Sequence, residues 1–177
     1  MSLQTRAVAI LTKPADEWRT IASEPATVEG LMREYAAPLA AIPAIAQFIG
    51  FIRTGIVRSF ANAVVAWVLS LVAAWIAALV IEKLAPMFQS RGNTAQALKL
   101  VVYSMTPSWV AGVLYLVPAL GVLVNIAALY AVYLFYLGLP PVMSTPSDKV
   151  IPYMVVPVVV LGAIATAIFV IGTHRTF

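Results

Sequence analysis

The stretch FANAVVAWVLSLVAAWIAALVI, residues Phe60–Ile81, contains neither a charged residue nor a proline. About 20 predominantly apolar residues in a helix are enough to cross the hydrocarbon core of a bilayer. The rest of the chain has the same character, with 62% hydrophobic residues, 10% charged residues and a mean hydropathy of +0.96. Soluble domains have about 45–50% apolar and about 25% charged residues, so the sequence predicts an all-α integral membrane protein.

Further apolar segments lead us to predict a bundle of five transmembrane helices, preceded by a short amphipathic helix at the membrane interface. Residues 1–34 would form a cytoplasmic N-terminal segment and residues 35–177 the membrane domain. The third and fourth spans have almost no loop between them and are expected to form an antiparallel hairpin. The expected spans are, in chain order, about Tyr35–Ile52, Phe60–Ile81, Leu98–Pro118, Val122–Leu139 and Tyr153–Gly172.

The basic residues indicate the orientation, because loops rich in Lys and Arg remain in the cytoplasm. With the N-terminus inside, eight Lys and Arg residues lie on the cytoplasmic side and three lie outside, and five spans then place the C-terminus outside. The assignment depends on the bent first span, because without it the orientation of every later span would be reversed. The inner residues are Arg6, Lys13, Arg19, Arg33, Lys83, Arg91, Lys99 and Lys149, and the outer residues are Arg53, Arg58 and Arg175.

A short helix is expected before the first span, in the stretch LTKPADEWRTIASEP. Pro14 suits a first helical turn, Asp16 and Glu17 complement the helix dipole, and Glu24–Pro25 ends the helix. Trp18 lies on its apolar face. Two interpretations stay open: the tryptophan anchors this helix in the cytoplasmic leaflet, or the helix packs on the bundle.

The residues inside the predicted spans argue against catalysis and ion coupling. These interiors contain no Asp, Glu, Arg or His, the only histidine is His174, and the chain has no cysteine. We therefore expect no catalytic residue, no metal site, no cofactor and no enzymatic activity. The net charge of +4 comes from residues at the ends of apolar runs, which favours anionic lipid headgroups over nucleic acid as the partner.

Small and polar residues recur every fourth position along the second span, where they form one narrow stripe. Such a stripe lets two helices approach closely, either within the bundle or in a homodimer. The residues are Asn62, Ala66, Ser70, Ala74 and Ala78.

Two features of the fourth span concern polar side chains at depth. Asn125 would need a hydrogen-bond partner, which Gln47 or the third span could supply, because an unpaired buried amide costs about 1–3 kcal/mol. Tyr136 suits an aromatic belt at the interface, whereas Tyr130 and Tyr133 are expected deeper and towards the bundle.

The third span begins with a predicted capping box, Asn93 with Gln96, which places the helix start near Thr94. Lys99 would then lie at headgroup depth, where its ammonium reaches water. Lys99, Tyr103 and Thr106 have the i, i+4, i+7 spacing of a single helix face.

Pro107 is expected to kink this helix, since it cannot donate to the carbonyl of Tyr103. Ser104 and Thr106 would help to satisfy the freed backbone groups. The kink either packs against neighbouring side chains or forms a ligand site or hinge.

Three segments together resemble the Ypt-interacting-protein (YIP) domain family: ILTKPADEWRTIASEP, ALKLVVYSMTP and LYAVYLFYLGLPPVMSTPSDKVIPYMVV. The resemblance covers nearly the whole chain and implies five spans with a cytoplasmic N-terminus. The matching signature residues are Lys99, Tyr103, Ser104, Pro107, Tyr136, Gly138, Pro140, Lys149 and Tyr153.

The eukaryotic relatives bind prenylated Rab GTPases and one another in the Golgi and endoplasmic reticulum. This chain lacks their DLYGP motif and has a short N-terminal region, so it looks more like the prokaryotic branch, in the cytoplasmic (inner) membrane, and Rab binding is not transferred. The first functional hypothesis is a non-enzymatic scaffold or adaptor that acts through helix contacts and lipid, with itself or another membrane protein as partner. The alternative is a small transporter or channel for a neutral solute or lipid, lined by the kinked third span.

Overall fold

The computed structural model describes residues 2–159, apart from the side chain of Thr54, and this part of the chain is helical with no strand. Short 3₁₀ turns join several of the helices. The α-helices are α1 Leu3–Thr12, α2 Pro14–Ser23, α3 Val28–Gly30, α4 Ala37–Gly50, α5 Ile56–Leu84, α6 Thr94–Ser104, α7 Thr106–Ala111, α8 Val124–Met143 and α9, described over residues 150–159.

A π-helical segment, Leu31–Ala36, joins α3 to α4, so that one continuous helix runs over residues 28–50. Pro38 lies in the first turn of α4 and has no N–H to donate to the carbonyl of Glu34. The missing hydrogen bond accounts for the interruption of the regular α-helical ladder at this point.

The third apolar helix, made of α6 and α7, lies at the centre of the bundle. On one side α6 packs against α5, and on the other it packs against α8, while α4 packs along α5 and α7. The hydrophobic core follows this helix, since Leu98, Leu100 and Val102 are fully buried.

Three helical stretches are long and apolar enough to cross a membrane: Ile56–Phe88, Thr94–Leu116 and Pro118–Met143. They match the second, third and fourth predicted spans, and the last two are separated by Val117 alone. The five-span count is not confirmed. The predicted first span begins inside the π-helical segment and is not among the three, and most of the predicted fifth span, Tyr153–Gly172, lies outside the described residues.

The N-terminal helices α1 and α2 form a hairpin, here called the N-terminal cap, which packs mainly on α8. Helix α2 starts at Pro14 and ends before Glu24–Pro25, as the sequence predicts, whereas α1 is a helix that the sequence analysis missed. Trp18 has 0% of its surface exposed. The interpretation of Trp18 as an interfacial anchor is therefore wrong, and the cap packs on the bundle.

Candidate functional site

Lys99 connects the central helix to the N-terminal cap. Its Nζ donates hydrogen bonds to the carbonyl oxygen of Ile21, at 2.9 Å, and to that of Glu24, and the residue is only 5% exposed. These carbonyls belong to the last turn of α2 and the residue after it, where the helix dipole is negative. The expectation that this ammonium reaches water is wrong, because the cap covers the position that would have been headgroup depth.

An ion triad holds the cap together beside Lys99. The guanidinium of Arg6 donates to the carboxylate of Glu17 and to both carboxylate oxygens of Glu24, at 2.7 and 2.5 Å. The side chains of Arg6 and Glu17 are only 7% and 10% exposed. Burial lowers the pKa of Arg6, but the hydrogen bonds to Glu24 and Glu17 outweigh it and raise that pKa above its ordinary value, so the guanidinium stays charged.

Three aromatic rings form a layer next to these charges. Tyr103 meets Trp18 edge-on, with ring centroids 6.2 Å apart, and Tyr35 at 4.4 Å. The hydroxyls of Tyr35 and Thr106 share a buried hydrogen bond of 2.8 Å. Lys99, Tyr103 and Thr106 therefore lie on one face of the central helix, and that face is covered by α2 and the π-helical segment.

The central helix is interrupted where Pro107 predicts a kink. Helix α6 ends at Ser104 and α7 begins at Thr106, with Pro107 buried in the first turn of α7. The hydroxyl of Thr106 lies 3.5 Å from the carbonyl oxygen of Val102, not from that of Tyr103, the carbonyl that Pro107 leaves without its helical donor. The buried hydroxyl of Ser104 has no hydrogen-bond partner within residues 2–159, so neither side chain satisfies the freed carbonyl as the sequence predicts.

Gly138 of α8 provides the space that Trp18 occupies. A Cβ atom at this position would lie 2.8 Å from the indole atoms Cε2 and Cζ2 and 2.6 Å from Cδ1 of Leu100. Only glycine allows the cap to approach α8 this closely. The hydroxyl of Tyr130 adds a second tie between the cap and α8 by donating to the carbonyl of Leu11 at 2.9 Å.

The other signature residues do not join this cluster. Tyr153 is fully buried, donates to the carbonyl of Ile81 at 2.6 Å and stacks on Phe88, so it ties α9 to the end of α5. Lys149 lies 3.4 Å from Asp148 at the surface. Tyr136 is 42% exposed, and Pro140 is exposed as well.

The polar residues predicted for helix packing are only partly placed as expected. Ala74 and Ala78 are fully buried, and Ser70 accepts a hydrogen bond from the indole of Trp109 at 3.0 Å. Ala66 is half-buried, and Asn62 is exposed.

Asn125 needs no partner from another helix. It is exposed and donates to the carbonyl of Val122 at 3.2 Å, so the prediction of a partner at depth is wrong. Tyr133 is also exposed, contrary to the expectation that it faces the bundle.

A cleft of about 720 Å³ opens beside the cluster, with Glu34 at its edge and Tyr35 and Tyr103 against it. Within residues 2–159, no group of three or more His, Asp or Glu side chains is arranged to hold a metal ion. Sequence reasoning missed Arg6, Glu17 and Tyr35, because their partners are distant in sequence and no periodic pattern connects them.

The arrangement defines a class of protein: a helical membrane protein whose N-terminal helices are fixed to a kinked central helix by buried polar contacts. The Yip1 domain profile matches residues 8–169, which include the second half of α1, all of α2, the central helix and the signature positions. The chain belongs to the Yip1 domain family. None of the curated proteins and none of the solved structures compared with the chain matches it.

Proposed function

We propose that this Yip1-domain protein is a non-enzymatic membrane scaffold or adaptor that acts through helix–helix and lipid contacts. The observation that carries this proposal is the burial of the central helix. In an 18-residue apolar stretch of this helix, 67% of the residues are buried inside the bundle. The corresponding shares are 17% for Ile56–Phe88 and 11% for Pro118–Met143. A central helix enclosed in this way suits a rigid platform.

Three polar groups of the central helix are paired inside the bundle, whereas the buried hydroxyl of Ser104 has no partner within residues 2–159. Lys99 is bound to the cap, Thr106 to Tyr35, and Trp109 to Ser70. Buried polar groups that are paired in this way make a structure rigid and specific rather than reactive. They support a structural role for Lys99, Thr106 and Trp109, of which Lys99 is a signature residue.

The surfaces available for contact are on the neighbouring helices. On α5, the large apolar side chains Val57, Val65 and Leu69 are exposed, and on α8 so are Ile126 and Leu129. In a membrane these faces meet lipid or another helix, including a second copy of the chain. They are the surfaces through which we propose that the scaffold works.

A second candidate function is passage of a neutral solute or lipid, because a cavity reaches the kink from the other end of the bundle. This cavity of about 250 Å³ is lined by Met105, Ser108 and Trp109, and it shares Gln47 and Tyr115 with a larger cleft of about 540 Å³. On the side of the cap, Tyr35 lines the cleft beside Tyr103 and shares a hydrogen bond with Thr106, the residue before Pro107.

Reconstitution in liposomes separates the two functions. A scaffold is expected to give no glycerol uptake and no flipping of a fluorescent lipid above protein-free liposomes, while in-membrane crosslinking captures a second copy or a partner. A flux that is lost in Pro107→Ala and Tyr103→Phe, but not in the exposed matched variants Pro140→Ala and Tyr136→Phe, would overturn the scaffold proposal and establish transport.

We further propose that the cap faces the cytoplasm of a prokaryotic cell, with the chain in its inner membrane and the C-terminus outside. Support comes from the clustering of Arg6, Lys83, Arg91 and Lys99 around the cap end of the bundle. A topology reporter fused after Phe177 should be active only outside the cytoplasm. Activity on the cytoplasmic side would refute this orientation.

A further inference from the structure

A polar cleft lies at the end of the bundle opposite the cap, where α4 ends and α5 begins. Its volume is about 540 Å³. It combines one guanidinium, two side-chain amides and two hydroxyl groups with apolar walls, and no carboxylate lines it. The lining residues are Gln47, Phe51, Arg58, Ser59, Asn62, Ala63, Tyr115 and Pro118.

Several hydrogen-bond donors of this cleft are available to a ligand. Within residues 2–159, the side chains of Gln47, Arg58 and Asn62 make no hydrogen bond or ion pair. Arg58 belongs to the first turn of α5, where the helix dipole adds to the attraction for an anion, and Asn62 lies one turn further on. The cleft is therefore suited to a negatively charged group with several acceptor oxygens, such as a phosphate ester.

The depth of Asn62 argues that this ligand belongs to the membrane. Asn62 lies six residues beyond Ile56, the first residue of α5, which is about 9 Å along the helix axis at 1.5 Å per residue. The span Ile56–Phe88 has 33 residues, at least as long as a bilayer with both headgroup layers is thick, so we take Ile56 to lie at the outer surface, where each headgroup layer is only about 5–8 Å thick. An amide below that layer has little water to bond, so acceptors from a lipid headgroup or glycerol ester are its natural partners.

An apolar groove adjoins the polar cleft, and Ala63 lines both. The groove has a volume of about 270 Å³. Phe48 and Phe60 line the groove and contact each other edge to face, with ring centroids 5.9 Å apart. The single polar group of its lining, the indole N–H of Trp67, already donates to the carbonyl of Ala37 at 2.9 Å.

The groove has the dimensions of part of an acyl chain. Along α5 it extends from Phe60 to Trp67, which is about 10 Å at 1.5 Å per residue. An apolar groove of this length beside a site for an anion matches the acyl chain and the phosphate of a phospholipid.

We propose that the cleft and groove together bind one phosphate-bearing lipid, with its phosphate at Arg58, Gln47 and Asn62 and one acyl chain along the groove, against the contacting rings of Phe48 and Phe60. This site specifies the lipid contact of the proposed scaffold and in that sense rests on the proposed function. Lipid binding is measured separately from crosslinking and flux, so failure of this site leaves the scaffold proposal standing. A scaffold that shows no partner likewise leaves the lipid site testable.

Native mass spectrometry of the full chain in detergent tests the site with three probes. Phosphatidylglycerol carries both the phosphate and the chains, diacylglycerol carries the chains alone, and glycerol 3-phosphate carries the phosphate alone. The proposal expects one tightly bound phosphatidylglycerol, at least tenfold weaker binding of diacylglycerol, and no competition from glycerol 3-phosphate at equal concentration. Equal binding of the first two lipids, or displacement by glycerol 3-phosphate, would overturn it.

Two variants and one matched control locate the lipid. Arg58→Ala removes a charge-assisted contact and is expected to weaken phosphatidylglycerol binding about tenfold or more. Ala63→Phe fills the junction between cleft and groove and is expected to reduce binding of any two-chain lipid. Arg53→Ala removes the same charge from an exposed residue outside the cleft and should change binding less than twofold.

The two variants and the control Arg53→Ala are each compared with the wild-type chain by size-exclusion elution and thermal unfolding before binding is measured. If Arg58→Ala and Arg53→Ala weaken binding equally while both remain folded, the attraction is a general surface charge effect and the proposed site is refuted.

Discussion

The substitution Gly138→Ala tests whether the cap is fixed to α8 by a close steric fit. The new Cβ would lie 2.8 Å from two atoms of the Trp18 indole, a rigid group that is fully buried. Overpacking by one methyl group costs about 1–3 kcal/mol, and replacing glycine by alanine inside a helix returns about 1 kcal/mol. The net expectation is a loss of about 0–2 kcal/mol, or up to about 8 °C in the unfolding temperature of a chain this long.

Because the net change is small, a double-mutant cycle with Trp18→Phe gives the sharper result. Phenylalanine lacks the benzo ring that meets position 138, so the part of the steric cost due to the indole should be relieved in the double variant, while the end of the flexible Leu100 side chain, 2.6 Å away, must still shift. We expect the two changes to be non-additive by about 1–3 kcal/mol, with Trp18→Phe less harmful in the Gly138→Ala background. Thermal unfolding of all four chains in the same detergent measures the coupling. Additivity within about 0.5 kcal/mol would refute the fit between Trp18 and Gly138.

Three further predictions concern the polar contacts of the cap and the central helix. Lys99→Met removes a buried ammonium together with its two hydrogen bonds to the cap, so the cap should be digested faster by proteinase K. Lys149→Met, at the surface, should leave the digestion rate unchanged. Arg6→Met leaves the buried Glu17 unpaired and should cost on the order of 3–5 kcal/mol of unfolding free energy, whereas Arg33→Met, at an exposed pair, should cost less than about 1 kcal/mol. Tyr35→Phe and Thr106→Val should each lower the free energy of unfolding by about 0.5–1.5 kcal/mol, because each removes the shared hydrogen bond. The double variant should be only slightly less stable than either single variant, and fully additive losses in thermal unfolding would contradict the shared bond.

Local features of this structure were predictable from sequence because they depend on neighbouring residues. The uninterrupted apolar stretch Phe60–Ile81 lies within a single long helix, and the Asn93–Gln96 capping box forms with both of its hydrogen bonds. Pro14 starts α2, and Pro107 marks the break between α6 and α7. Each of these follows from missing donors, capping bonds or hydropathy over a few residues.

The environment of Lys99 was not predictable, because depth along a helix does not reveal what covers it. Snorkelling assumes that the nearest polar surroundings are water, but here they are two carbonyls at the end of α2 and just after it, 78 and 75 residues away in sequence. The ion triad was missed for the same reason, since Arg6 meets Glu17 and Glu24 only after α1 and α2 fold back on each other. The prediction for Asn125 was wrong for a different reason: its hydrogen-bond partner is the carbonyl of the nearby Val122, so its amide needs no partner from another helix.

The two candidate sites lie at opposite ends of one helical element. Tyr35, in the π-helical segment, faces the cap, and Gln47, near the end of α4, lines the polar cleft. Twelve residues of helix separate them, which is about 18 Å. Sites this far apart with no shared partner are expected to behave independently. The cap variants should therefore leave lipid binding unchanged and Arg58→Ala should leave the cap intact, so that a loss at either site can be assigned to its own contacts rather than to a general loss of the fold.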